Sequence, residues 1–153
     1  MLGILILRQN MSAEIVTEKI MISAESHCGI VDITGHVAEK LSATGMTTGN
    51  VTVFVGGSTG GVTTIEYEPG LMKDLPEFFE KIIPSDRGYN HDRTWGDANG
   101  FSHLRAALLG PSLTVPFENG RLMLGTWQQI IVINFDNRDR RREVIMQFAG
   151  EKS

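Results

Sequence analysis

The sequence is short of cysteine, of positive charge and of long apolar runs, and each shortage excludes something. One cysteine among 153 residues cannot form an internal disulfide, which points to a reducing compartment. A formal net charge of −4 removes the basic footprint expected of a nucleic-acid binder. No stretch has the roughly 20 unbroken apolar residues that a membrane-spanning helix needs. The opening MLGILIL is too short to span, and no positive residue precedes it as in a signal peptide. No internal repeat, coiled-coil heptad or low-complexity linker is present. The expectation is a soluble, cytoplasmic protein with neither a membrane nor a nucleic acid as partner.

What is present fits one domain, which at this length buries roughly 68–70% of its unfolded surface without disulfide or metal staples. Residues 1–12 read as an unpatterned extension, with Met11 a candidate start, and residues 13–153 as the domain. Glycine is in excess, at 17 residues. Glycine costs entropy on folding, so its abundance points to tight turns or to backbone that closely approaches a ligand.

Along the chain, Ala13 to Ile22 alternates as a strand with one apolar face. His27-Cys28-Gly29 breaks it. Val31 to Ala43 has helical spacing at Ile33, Val37 and Leu41, with Asp32 or Thr34 as cap and Gly45 as stop. Asn50 to Val55 reads as a buried strand, and Val62 to Tyr67 as a second strand. Pro69 to Ile83 has an apolar helical face, but Pro76 predicts two short helices or a restart at Asp74. Residues 84–101 are polar and aperiodic, and predict a long functional loop. Ser102 to Leu109 suits a short helix. Ser112 to Pro116, Gln128 to Phe135 and Glu143 to Phe148 suit strands, the first ending in the turn Glu118-Asn119-Gly120-Arg121. The fold class is therefore α+β, with a mostly antiparallel sheet and two or three flanking helices.

Five groups of residues could carry chemistry. Gly56-Gly57-Ser58-Thr59-Gly60-Gly61 matches neither a Walker nor a dinucleotide motif; it reads either as a backbone nest for phosphate or as a wide glycine turn. Tyr89-Asn90-His91-Asp92 with Asp97, Asn99 and His103 offers metal-ligand chemistry at a spacing that matches no defined motif; Asx turns are the simpler reading. Glu66 places a carboxylate in an apolar strand, as cavity ligand, base or solvent-facing residue. Trp127 and Gln128 offer a stacking face and a hydrogen-bonding edge, or a core Trp at a strand end. Arg138, Arg140, Arg141 and Arg142 form a solvated turn or supply a phosphate-gripping guanidinium, with Arg141 the candidate. Cys28, beside Gly29, reads as a small core residue.

Thr63-Thr64-Ile65-Glu66-Tyr67-Glu68-Pro69-Gly70, Tyr89-Asn90-His91-Asp92, Ser102-His103-Leu104, and Gly120-Arg121 through Gly125-Thr126-Trp127-Gln128 occur in that order. Together they resemble the YjbQ-like family, over about Glu14 to Gly150. The resemblance implies a β-sandwich-like (jelly-roll-like) α+β fold, a homotrimer, and a metal-capable polar pocket near subunit boundaries. It also implies weak, secondary thiamine-phosphate synthase activity, in which a thiazole phosphate displaces pyrophosphate from a pyrimidine diphosphate.

On this resemblance His91, His103, Glu66 and Asp92 are the catalytic candidates. Gly57, Ser58, Thr59, Gly60, Asn99, Trp127, Gln128 and Arg141 would hold a small phosphorylated heteroaromatic metabolite. Many members have a third His where this chain has Gly57. A Zn or Mg ion would then rest on His91 and His103, with Glu66 or Asp97 as third ligand. Two rivals use the same residues: a metal-assisted hydrolase of a small phosphorylated metabolite, and a non-catalytic trimeric metabolite-binding protein.

Overall fold

Strand-forming stretches dominate the chain and pair into two antiparallel sheets. The computed structural model describes residues 13–152, so the extension and its candidate start at Met11 lie outside the described residues. The first half holds β1 (Glu14–Ala24), β2 (Gly29–Asp32), α1 (Thr34–Thr44), β3 (Thr48–Val55), β4 (Gly60–Ile65) and α2 (Leu71–Ile82). The second half holds α3 (Asn90–Trp95), α4 (Gly100–Leu109), β5 (Ser112–Glu118), β6 (Arg121–Leu122), β7 (Gln129–Asn134) and β8 (Arg140–Glu151). One sheet has the order β1-β8-β3-β5-β6 and the other β2-β7-β4.

The sheets pack face to face over one core. Val51, Val53, Val144, Met146 and Phe148 meet Val62, Ile130 and Val132, and Val37 and Leu41 of α1 close one side. A second cluster lies on the outer face of the smaller sheet. There Ile131, Ile133 and Phe135 meet Phe79 of α2 and Ala106 of α4. Strand β7 is thus buried on both faces, which is why its sequence is an unbroken apolar run rather than an alternation.

The helices and strands depart from the sequence reading in four places. Gly29–Asp32 forms β2, paired with β7 from Gly29↔Asn134 to Asp32↔Ile131, so α1 starts later than its apolar spacing suggests. The expected stop at Gly45 holds, with φ of 70°. Helix α2 runs through Pro76 without a break. It starts at Leu71 because Glu68 accepts the Gly70 (2.7 Å) and Leu71 amides of its first turn. Within the expected loop, Asn90–Trp95 is helical, which makes four helices among the described residues instead of two or three. Strand β8 begins at Arg140, so three of the four arginines lie on a strand rather than in a turn.

Candidate functional site

The segment between α2 and β5 is folded by one carboxylate. Asp92 Oδ2 accepts the Tyr89 amide at 2.9 Å, and Asp92 Oδ1 accepts the Gly100 amide at 2.9 Å. One side chain therefore closes the start of α3 and ties it to the start of α4. Gly100 permits the approach, since a Cβ there would lie 2.5 Å from Tyr89 Cβ. Both amides favour the ionised carboxyl, so its pKa lies below the ordinary value. Both oxygens of Asp92 thus accept backbone amides, the arrangement of a side chain that positions its neighbours.

This junction sets His91 against His103, with ring centroids 4.3 Å apart. His91 Nε2 lies 3.6 Å from Asp97 Oδ1. One terminal atom of the buried Asn99 amide lies 3.1 and 3.2 Å from the two Asp97 oxygens and 3.2 Å from His91 Nε2. Between Asp97 and Asn99, Ala98 has φ of 51°, a left-handed conformation costing about 1–2 kcal/mol in a residue with a Cβ. The turn brings both neighbouring side chains to one place. Asn137 anchors it from the β7–β8 connection by donating to the Asp97 carbonyl at 2.8 Å. Arg87, Tyr89, Asn90, His91, His103 and Leu104 line a cavity of about 450 Å³ beside the histidine pair.

Two orientations of the Asn99 amide have different consequences. With its NH₂ inward, it donates to Asp97 and to His91 Nε2. With its oxygen inward, the amide faces the Asp97 carboxylate, and a proton on His91 Nε2 or a bound cation would have to offset the repulsion. Among the described residues no three His, Cys, Asp or Glu side chains by themselves make a metal group, so Asn99 is needed to complete any such set.

The glycine loop lies on the other side of His103. Gly57, Ser58, Gly60, His103, Ala107 and Pro111 contribute to a second cavity of about 240 Å³. Behind the loop runs a buried polar network. Arg142 Nη2 donates to the Thr59 carbonyl at 3.0 Å and to Thr59 Oγ1 at 2.9 Å, and its Nε donates to Asn134 Oδ1 at 3.1 Å. Thr59 Oγ1 donates to Asp136 Oδ2 at 3.2 Å, and Arg140 Nε donates to the same oxygen at 2.8 Å. Thr59 thus belongs to the support of the loop. The arginine that reaches the loop is Arg142 rather than Arg141. Strand alternation turns Arg141, opposite Ser23, outward, and Arg142 inward.

Glu66, Trp127 and Gln128 do not join the histidines in this chain. They line a separate shallow cavity of about 380 Å³ with Thr64, Gly125 and Thr126. Strand β4 is the reason: the glycine loop enters one end and Glu66 follows the other, about 17 Å away at 3.3–3.4 Å per residue. Glu66 is therefore replaced by Asp97 as the carboxylate beside His91. Gln128 is engaged internally, donating to Thr64 Oγ1 at 2.9 Å and accepting the Gly125 amide at 3.0 Å. Trp127 is 69% exposed, so it is no core residue.

Burial pushes the Cys28 thiol up to about 11, which leaves it protonated and inert, as its place in the outer cluster implies. Sequence reasoning missed Arg105 altogether. It is 2% exposed, donates to the Ile83 carbonyl from Nε (3.0 Å) and Nη2 (2.7 Å), and pairs with Glu80, so it locks α4 to the end of α2. The one available signal was its position within an otherwise apolar helix.

The family model for UPF0047 protein YjbQ-like matches residues 18–151. The chain belongs to the UPF0047 family. A UPF0047 protein of Archaeoglobus fulgidus is 41% identical over 116 residues, covering 76% of this chain and 88% of the relative. One from Methanothermobacter thermautotrophicus is 36% identical, covering 90% and 94%. Among solved structures, a YbjQ-like protein of unknown function from Sulfolobus solfataricus P2 aligns with a TM-score of 0.87 at 28% identity, covering 92% and 100%. A hypothetical protein from Aeropyrum pernix K1 gives a TM-score of 0.83 at 34% identity, covering 89% and 99%.

These comparisons support the α+β fold expected from the family motifs. They overturn the expected thiamine-phosphate synthase activity. The family relatives bear only the UPF0047 name, and the structural neighbours are described as hypothetical or of unknown function. No helix among the described residues is long and apolar enough to cross a membrane.

Proposed function

We propose that the cleft between α3 and α4 binds a divalent transition metal through His91, His103, Asp97 and Asn99. The supporting observation is the contact of the Asn99 amide with both Asp97 oxygens and His91 Nε2 at 3.1–3.2 Å. Such spacings suit donor atoms that share one ion. Two imidazoles favour zinc or a similar ion over magnesium, which prefers an all-oxygen shell. When bound, the ion would supply Lewis acidity to a ligand in the adjoining cavity. The chain's own part is positioning: Asp92 joins the two helices, and Ala98 turns Asp97 and Asn99 toward His91.

Metal analysis and zinc calorimetry on the purified protein test this. Wild type should bind zinc more tightly than magnesium, with His91→Ala and His103→Ala each weakening zinc by at least about tenfold. Equal zinc affinity in wild type and both variants would overturn the reading.

A self-assembled, trimeric state belongs to the same reading. Trp95 (75% exposed), Leu104 and Leu108 are large apolar side chains on α3 and α4 that an interface would cover. Sedimentation velocity should give a species of about three chain masses, and a monomer at roughly 100 µM would contradict it. A cytoplasmic location fits a chain whose single thiol is free.

A further inference from the structure

We propose that the loop from Gly56 to Gly60 is an oxyanion subsite, in which backbone amides and the buried Arg142 hold a phosphate or carboxylate group of a ligand that also meets His103. Two independent observations carry it. Among the described residues, the amides of Gly56, Gly57, Ser58 and Thr59 donate to no protein acceptor. Consecutive free amides in a turn form a concavity of partial positive charge. Separately, Arg142 is only 6% exposed and leaves Nη1 without a partner among the described residues, while Nε and Nη2 are fully engaged.

The glycines keep this atom within reach of the loop. A Cβ at Gly57 would lie 3.5 Å from Nη1, and one at Gly60 would lie 3.0 Å from it. Side chains at either position would cover the guanidinium. Gly57 also has φ of 109°, which disfavours any residue with a Cβ. The fixed charges behind the loop are Arg140 and Arg142 against Asp136, a balance that favours an anion in front. His103 lines the cavity before the loop as well as the one beside His91, so a single small ligand can span both.

The link to His103 rests on the metal reading, but anion binding at the loop does not. The test is amide NMR on the full chain, titrated with inorganic phosphate, with acetate, and with chloride as an ionic-strength control, each with and without zinc. Phosphate or acetate should shift the Gly57, Ser58 and Gly60 amides selectively and saturate by about 50 mM, and chloride should not. Saturation by phosphate alone assigns a tetrahedral dianion, and saturation by acetate alone assigns a carboxylate. Ser58→Asp, an exposed position on the loop, should weaken the anion at least about tenfold by repulsion at short range. Gly57→Ala should weaken it too.

Loop amides unmoved by both anions overturn the subsite, whatever zinc does. Shifts of equal size with chloride, or affinity unchanged in both variants, overturn it as well. Zinc binding without loop shifts leaves the metal reading standing alone. Loop shifts without zinc binding leave the subsite standing alone.

Discussion

Asp92 joins two helices through two backbone amides, and Arg142 joins two strands and a loop through three acceptors; both residues hold the site from behind. Because the Asp92 pKa is lower in the folded chain than its ordinary 3.8, it stabilises the fold above the ordinary value. That contribution fades as pH falls through the lowered value. Glu68, held down by the Gly70 and Leu71 amides, has the same sign. Urea midpoints measured from about pH 6 to pH 2 should therefore fall on acidification, and Asp92→Asn should flatten the fall. An unchanged slope in that variant would contradict the clamp. Gly100→Ala should cost about 1–3 kcal/mol by the same urea assay, because the new Cβ meets Tyr89. Arg142→Ala should cost about 1–3 kcal/mol, since it removes the donor shared by the buried Thr59 and Asn134 acceptors.

At the scale of elements, the outer face of the small sheet depends on α2 and α4. Phe79 packs edge-on against Phe135 with centroids 4.7 Å apart, and both rings are buried. Phe79→Ala should lower unfolding stability by about 3–5 kcal/mol. Pro76 has the opposite character. It lies inside α2, where its missing N–H leaves the Met72 carbonyl without its helical donor. Pro76→Ala should raise stability by about 1–3 kcal/mol in thermal unfolding, less whatever chain entropy the alanine restores to the unfolded state. Helix α3 was illegible because five polar residues and one Trp carry no apolar period, and the Asp92 carboxylate that closes its start and reaches Gly100 of α4 decides its existence. Strand β2 was hidden for a related reason: Gly29 read as a break and Val31 and Asp32 as the start of a helix until β7 is there to pair with them.

For the whole molecule, a metal bound only by the folded chain raises stability by mass action. Zinc at one hundred times its dissociation constant should add about 2.7 kcal/mol to unfolding, and a chelator should remove it. His103→Ala should keep no more than about 1.4 kcal/mol of that gain in a thermal melt at the same zinc concentration.

Strands β1, β3, β4, β5, β7 and β8, the helical faces of α1, α2 and α4, the α+β class and the family are local in origin, and each was readable from period, turn residues or ordered motifs. The two histidines were readable for the same reason. What the chain alone left open is which side chains share a space. Antiparallel pairing turned Arg142 inward and Arg141 outward, and the length of β4 carried Glu66 away from His91. The turn at Ala98 brought Asp97 and Asn99 beside His91 in its place. Those outcomes depend on contacts between residues distant in sequence, whose geometry exists only once both sheets have closed on their core.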